Sequence, residues 1–595
     1  MASWPWKNVL LLTSALVASS VAAGSAGAAS GAPIEELLNP GTIAASACGR
    51  GGQNATAFKP TQIALATPAQ AVSADAGPPL WDGLGNLHYP ITTASEQAQR
   101  YFDQGLRLTF AFNHAEAWRA FKQAQKLDPG CAMCFWGEAF VLGANINAPM
   151  ENGAVQPAFL ALTNAKARAG KASDREQALI DALAERYASS PDADGAALAA
   201  AYADAMAQAR ASFPDDQDIA VLFADSIMNT SPWDYWEADG ITPKGRLGEA
   251  IAAIEGVLAA NPEHPGAIHL YIHLTEASTA PERAEPYADR LAALMPAAGH
   301  VVHMPAHTYY RVGRYLDALE TNIAAVAADE AYLAQVDATG AYPYGYYPHN
   351  IHFALVSAFM AGDAEHAMWA ADRLEGKVND DVAADIGWIQ LIKQGPYFAH
   401  AHMSDPDTVL AIEDPGDRFP LVKAMWHYAR GVAFAGKGEV EAARREAAQI
   451  AEIVQTHDPD ATYPADVAFV ANDTMAIARH VVEARIAQAE GDLDRAITEF
   501  ETAVQIQDSL FYLEPPFWYY PVRQSLGAVL LMAGRAEDAE EVLRQSLVDA
   551  PNNGWALYGL MEAQKAQGDE TAAAVTTRLF EKAWAGEGPP DLARL

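Results

Sequence analysis

From about residue 93 to the C-terminus, apolar positions recur with a helical period and are broken by short turns carrying Gly, Asp or Pro, which predicts helix, turn, helix throughout. The first helix is expected to open at Thr93, whose hydroxyl suits a cap while Glu96 completes a capping box. Residues 29–92 lack this period and are rich in Ala, Gly, Ser, Thr and Pro, as a flexible or extended arm would be. The pattern then divides into helical repeats over 93–240, 241–378 and 379–595.

Within 101–129, Gly105-Leu106 falls in a first helix. Ala117, Ala120, Phe121 and Ala124 share one face of a second helix that stops at Asp128-Pro129. The next unit opens with Phe135-Trp136-Gly137 and Ala139, and later units begin near 245, 281, 314, 364, 420, 476, 520 and 553, the last with Trp555 and Gly559. This arrangement of small and aromatic residues resembles the tetratricopeptide-repeat (TPR) superfamily, in the form met in exported bacterial proteins, over about residues 93–588. The resemblance implies an all-α, right-handed solenoid of helix-turn-helix units whose first helices line a concave groove. It implies no activity, because such arrays serve chiefly as scaffolds and peptide receptors.

Length agrees with an array, since 595 residues exceed the roughly 250–300 at which single cores stop growing. The N-terminus reads as a signal peptide over 1–28, with Lys7, an apolar run from Val9 and the small residues Ala26-Gly27-Ala28. An exported protein is expected, periplasmic or secreted, with no stable membrane insertion of the mature chain. A net charge of −36 repels nucleic acid and anionic lipid. No phosphate-binding loop, dinucleotide fingerprint or nucleophile elbow is visible.

The histidines change the picture. Of 16 in the chain, His269, His273, His300, His303, His307, His349 and His352 crowd into 84 residues. His269/His273 and His303/His307 are i, i+4 pairs that each place two imidazoles on one helix face, and the pairs stand 34 residues apart, one repeat period. Aligning Gly313 with Gly362 sets His352 opposite His303 and His349 opposite His300. A column of imidazoles facing the groove suits a transition metal, Cu, Fe or Zn, with Glu276 as carboxylate ligand or general base. Pro305 disturbs the simple spacing of the second pair.

Beside the column, Tyr344, Tyr346 and Tyr347 lie in a segment from Ala341 to His349 that lengthens the period by about 15 residues, a lid or ligand-stacking wall in prospect. Cys131-x2-Cys134 suits a disulfide, a redox couple or a soft ligand pair, and Cys48 is left over. Glu514 to Arg523 gathers aromatics with a carboxylate and a cation that can hold a planar or peptide ligand or pack between repeats. Two functions follow from these residues: a histidine-lined groove that binds a transition metal for redox or hydrolytic chemistry, or a metal-free scaffold receiving a peptide or protein partner in the groove.

Overall fold

In the computed structural model, residues 77–595 are described except 148, 149, 151, 191, 192, 337, 339–341, 459–461 and 464. The signal-peptide segment, most of the arm and Cys48 lie outside the described residues. Within them all regular structure is helical, and the isolated bridge between Trp236 and Pro243 belongs to no strand. None of these helices is long and apolar enough to cross a membrane.

Neighbouring helices pair in sequence order, and the reason is visible at the small residues. Phe121, on the helix His114–Leu127, lies between Gly105 of Glu96–Phe110 and Gly137 of Ala132–Val141. A Cβ on Gly105 would meet the Phe121 ring at 2.6 Å, and one on Gly137 at 2.4 Å. The same clasp recurs near the C-terminus, where Leu543 lies between Gly527 and Gly559 with hypothetical Cβ contacts of 2.5 and 3.1 Å. Each large side chain thus fastens its own repeat to the next, which makes the chain a TPR-like helical-repeat solenoid.

The first helix begins at Glu96 rather than Thr93. Ser95 is its cap, accepting from the Ala98 amide at 3.2 Å, while the Thr93 hydroxyl donates to Asp128 at 2.6 Å. Residues 77–92 pack along this helix with a turn at 82–84, tied by Tyr101 to the Pro78 carbonyl and by Gln104 to the Pro79 carbonyl, both at 2.9 Å.

The array also curls back on itself. Trp555 donates from its indole to the Phe359 carbonyl at 2.8 Å, and the Ala585 amide reaches the Ala361 carbonyl at 2.8 Å. Gly362, at φ 74°, ends the helix Tyr347–Ala361 in the left-handed region, and a Cβ there would strike Trp584 at 2.3 Å. The C-terminal repeats therefore cover the central helices, and the central histidines face a closed interior instead of an open groove.

Candidate metal centre

Four short elements bring the imidazoles together. His269 and His273 lie on Pro265–Thr275, His300 and His303 on Gly299–His303, His307 on Pro305–Arg311, and His349 on Tyr347–Ala361. All six are between 0 % and 8 % exposed. Pro305 sits at the first position of its helix, where its missing amide costs nothing, and the break at Met304 leaves His303 and His307 facing each other with Nε2 atoms 2.8 Å apart. Nε2 of His269 and Nε2 of His273 are 3.2 Å apart.

The far side of each of these four rings is occupied. His269 Nδ1 lies 2.6 Å from the Phe110 carbonyl, His303 Nδ1 2.6 Å from Asn322 Oδ1, His273 Nδ1 2.7 Å from Glu276 Oε1 and His307 Nδ1 2.6 Å from Glu276 Oε2. Asn322 donates its amide to the Ala318 carbonyl at 2.7 Å, which makes its oxygen the atom facing His303. All four partners are acceptors, so each Nδ1 carries a hydrogen and, while the ring is neutral, its Nε2 presents a lone pair.

Two Nε2 lone pairs in contact repel unless a cation stands between them. Burial pushes His307 down, but Glu276 outweighs it and raises the ring overall, so a proton on His307 can bridge to His303. No such proton serves the other pair. Burial first, then the neighbouring His273, holds His269 well below the ordinary range, and burial lowers His273 despite Glu276. Burial and neighbouring imidazoles likewise hold His300, His303 and His349 well below it. Glu276 stays ionised: burial would raise it, yet His307 and His273 bring it down to about 2.

The third ring of each set completes a triad. His269, His273 and His300 can bring one nitrogen each within 4.8 Å of the others, and so can His303, His307 and His349. Both ring nitrogens of His300 are buried without a hydrogen-bond partner among the described residues. The triads adjoin, with ring centroids 5.7 Å apart for His273 and His307 and 5.9 Å for His300 and His303. Neutral imidazoles whose other nitrogen is fixed by an acceptor are the usual form of a metal ligand and its supporting shell.

The structure sorts the sequence candidates. His352 does not join the cluster; its Nε2 bonds the Tyr519 hydroxyl, and His349 takes the place opposite His303 that the Gly313/Gly362 alignment gave to His352. Glu276 is placed behind the imidazoles, both oxygens committed to Nδ1 atoms. The tyrosine segment forms a π-helical turn, Tyr342–Tyr346, running directly into the helix that bears His349. Tyr346 packs on His300 at 4.5 Å between centroids, Tyr347 turns away to bond Glu330 at 2.8 Å, and Tyr344 is half-buried against the core. Cys131 and Cys134 are joined in a buried disulfide at the start of Ala132–Val141, and neither belongs to the histidine groups.

Sequence reading missed the aromatic jacket. Phe112 lies 4.4 Å from His269 and nearly parallel to His273 and His300, Trp233 meets His273 edge-on at 5.2 Å, and Phe353 packs on His303, His307 and His349. Phe112 and Trp233 hold positive φ of 55° and 63°, strained values for aromatic residues and of the kind that gathers at functional sites. Nothing in their sequence neighbourhood announces this. Glu514, which burial raises to about 7, lines a small void with His349 and His352.

No family model matches the sequence, and neither does any curated protein. Solved structures that align along it include the Naa15/Naa10 complex bound to HypK-THB, at 12 % identity over 82 % of this chain and 70 % of that one, TM-score 0.19. The P58(IPK) TPR domain aligns at 11 % identity over 79 % of this chain and 98 % of that one, TM-score 0.21, and yeast Tom70 at 10 % over 82 % and 93 %, TM-score 0.25.

Proposed function

We propose that the protein holds a pair of transition-metal ions, one on His269, His273 and His300 and one on His303, His307 and His349. The observation that carries this reading is the His269/His273 contact, two buried acceptor nitrogens 3.2 Å apart, beside His300, whose nitrogens have no partner among the described residues. Six neutral imidazoles backed by one carboxylate bring little negative charge, so a singly charged ion is the least costly to bury. Among metals that accept imidazole, copper in its cuprous state meets that condition best. Bound copper supplies one-electron redox chemistry, while the chain orients the rings through Glu276, Asn322 and the Phe110 carbonyl and excludes water with Phe112, Trp233 and Phe353. The disulfide supports the reading of an exported protein, since such bonds persist in oxidising compartments.

A TPR-like array is also an interaction architecture, and its outer faces suit partner proteins. The buried histidines do not suit that use, because no peptide reaches rings at most 8 % exposed. A Cu(I) titration against a chromogenic chelator separates the two readings. Wild type is expected to withdraw two ions per chain, and His300→Ala and His349→Ala one each. Withdrawal of none by wild type contradicts the metal reading.

A further inference from the structure

The segment from Glu514 to Arg523 forms a strap between two spaces. On one side, Glu514, Phe517 and Tyr519 wall the small void beside His349 and His352; on the other, the same residues wall a cleft of about 480 Å³. That volume is of the size that encloses a small organic molecule. The Arg311 guanidinium lies over the Tyr512 ring at 5.2 Å and donates to the Glu276 and Ser278 carbonyls at 2.8 and 3.1 Å; Glu514 and Asp549 of the cleft lining act on it electrostatically, but among the described residues no carboxylate stands within ion-pair distance of it. Arg523, by contrast, is taken up by both oxygens of Asp508 at 2.6 Å.

Tyr315 supplies the second sign of a ligand. It is 2 % exposed, lines the cleft, and its buried hydroxyl has no hydrogen-bond partner among the described residues. A buried hydroxyl left unsatisfied is costly, and a ligand acceptor placed there removes the cost. The Tyr315 ring meets Tyr310 edge-on at 5.1 Å, and Tyr310 meets Phe353 at 5.7 Å, so one aromatic layer separates the cleft from the histidines.

We propose that this cleft binds a small planar aromatic acid, its carboxylate accepting from Arg311 and the Tyr315 hydroxyl and its ring held among the cleft's aromatic walls. Arg523 offsets Asp508 and Asp549, which leaves Arg311 to meet the ligand carboxylate against Glu514, and the walls fix the ligand's shape. Occupancy does not depend on metal, because none of these contacts passes through the imidazoles.

The test is calorimetric titration of the full chain, metal-free and copper-loaded, with benzoate and with cyclohexanecarboxylate. Benzoate is expected to bind, with cyclohexanecarboxylate about tenfold weaker, and Arg311→Lys and Tyr315→Phe each weakening benzoate about tenfold, a loss of about 1.4 kcal/mol. Because the Tyr315 hydroxyl has no partner among the described residues, Tyr315→Phe is expected to keep or raise the thermal midpoint, which separates loss of a ligand contact from damage to the fold. Absence of benzoate binding to wild type, or equal binding by wild type and both variants, overturns the proposal. In His269→Ala/His303→Ala, loss of metal with benzoate binding retained isolates the cleft from the metal centre; a chain that takes copper but no benzoate overturns the cleft alone.

Discussion

Glu276 couples two helices through its two oxygens, one on His273 and one on His307, so its effect is on the direction of the rings. Glu276→Gln preserves shape but replaces one acceptor oxygen by a donor amide that cannot face an Nδ1–H. Metal affinity is expected to fall 10- to 100-fold, on the order seen for supporting-shell changes, measured by chelator competition. Asp329 is another buried carboxyl near the site, accepting from Asn350 at 2.7 Å and raised by burial to about 7. The unfolded chain releases that proton near pH 4, so the native state binds one proton more between about pH 4 and 7. Stability from this group is full below that window and falls by about 1.4 kcal/mol per pH unit as pH rises through it. Asp329→Asn is expected to flatten that slope in denaturant titrations at pH 4 to 7; an unchanged slope counts against it.

Helices are fastened by residues whose absent side chains matter. Gly137→Ala drives a Cβ into the Phe121 ring, and overpacking of this kind costs about 1–3 kcal/mol. Gly256→Ala, on Leu247–Ala260 with open space around the added atom, is expected to stabilise by about 0.5–1 kcal/mol. Opposite shifts of the denaturation midpoint check both. These clasps were legible from Gly105, Phe121 and Gly137, since the spacing of small and large residues is what the packing uses. The two i, i+4 histidine pairs were legible for the same reason. His349 and His352 were not placed correctly, because aligning Gly313 with Gly362 assumes one continuous helix before each glycine, whereas the helix before Gly313 breaks at Met304, between His303 and His307. Phe112 and Trp233 left no mark at all, since a positive φ in an aromatic residue is a tertiary decision.

At the scale of the whole molecule, the sequence predicted an array with a groove, and the fold is an array whose C-terminal repeats close over that face. Closure depends on contacts hundreds of residues apart, such as Trp555 to Phe359, which no local pattern encodes. It converts a binding surface into a buried chamber, and there two pairs of imidazoles set Nε2 to Nε2 favour a cation. A ligand that binds only the folded state stabilises it by mass action, so copper is expected to raise the thermal midpoint and a membrane-impermeant cuprous chelator to reverse the rise. The most direct test of the central claim is elemental analysis of the protein purified without chelator or an affinity tag of histidines, reconstituted with copper, iron or zinc, beside His269→Ala/His303→Ala. The account predicts two ions per chain, copper held most tightly, and their loss in the double variant; a wild type that carries no metal after reconstitution would contradict it.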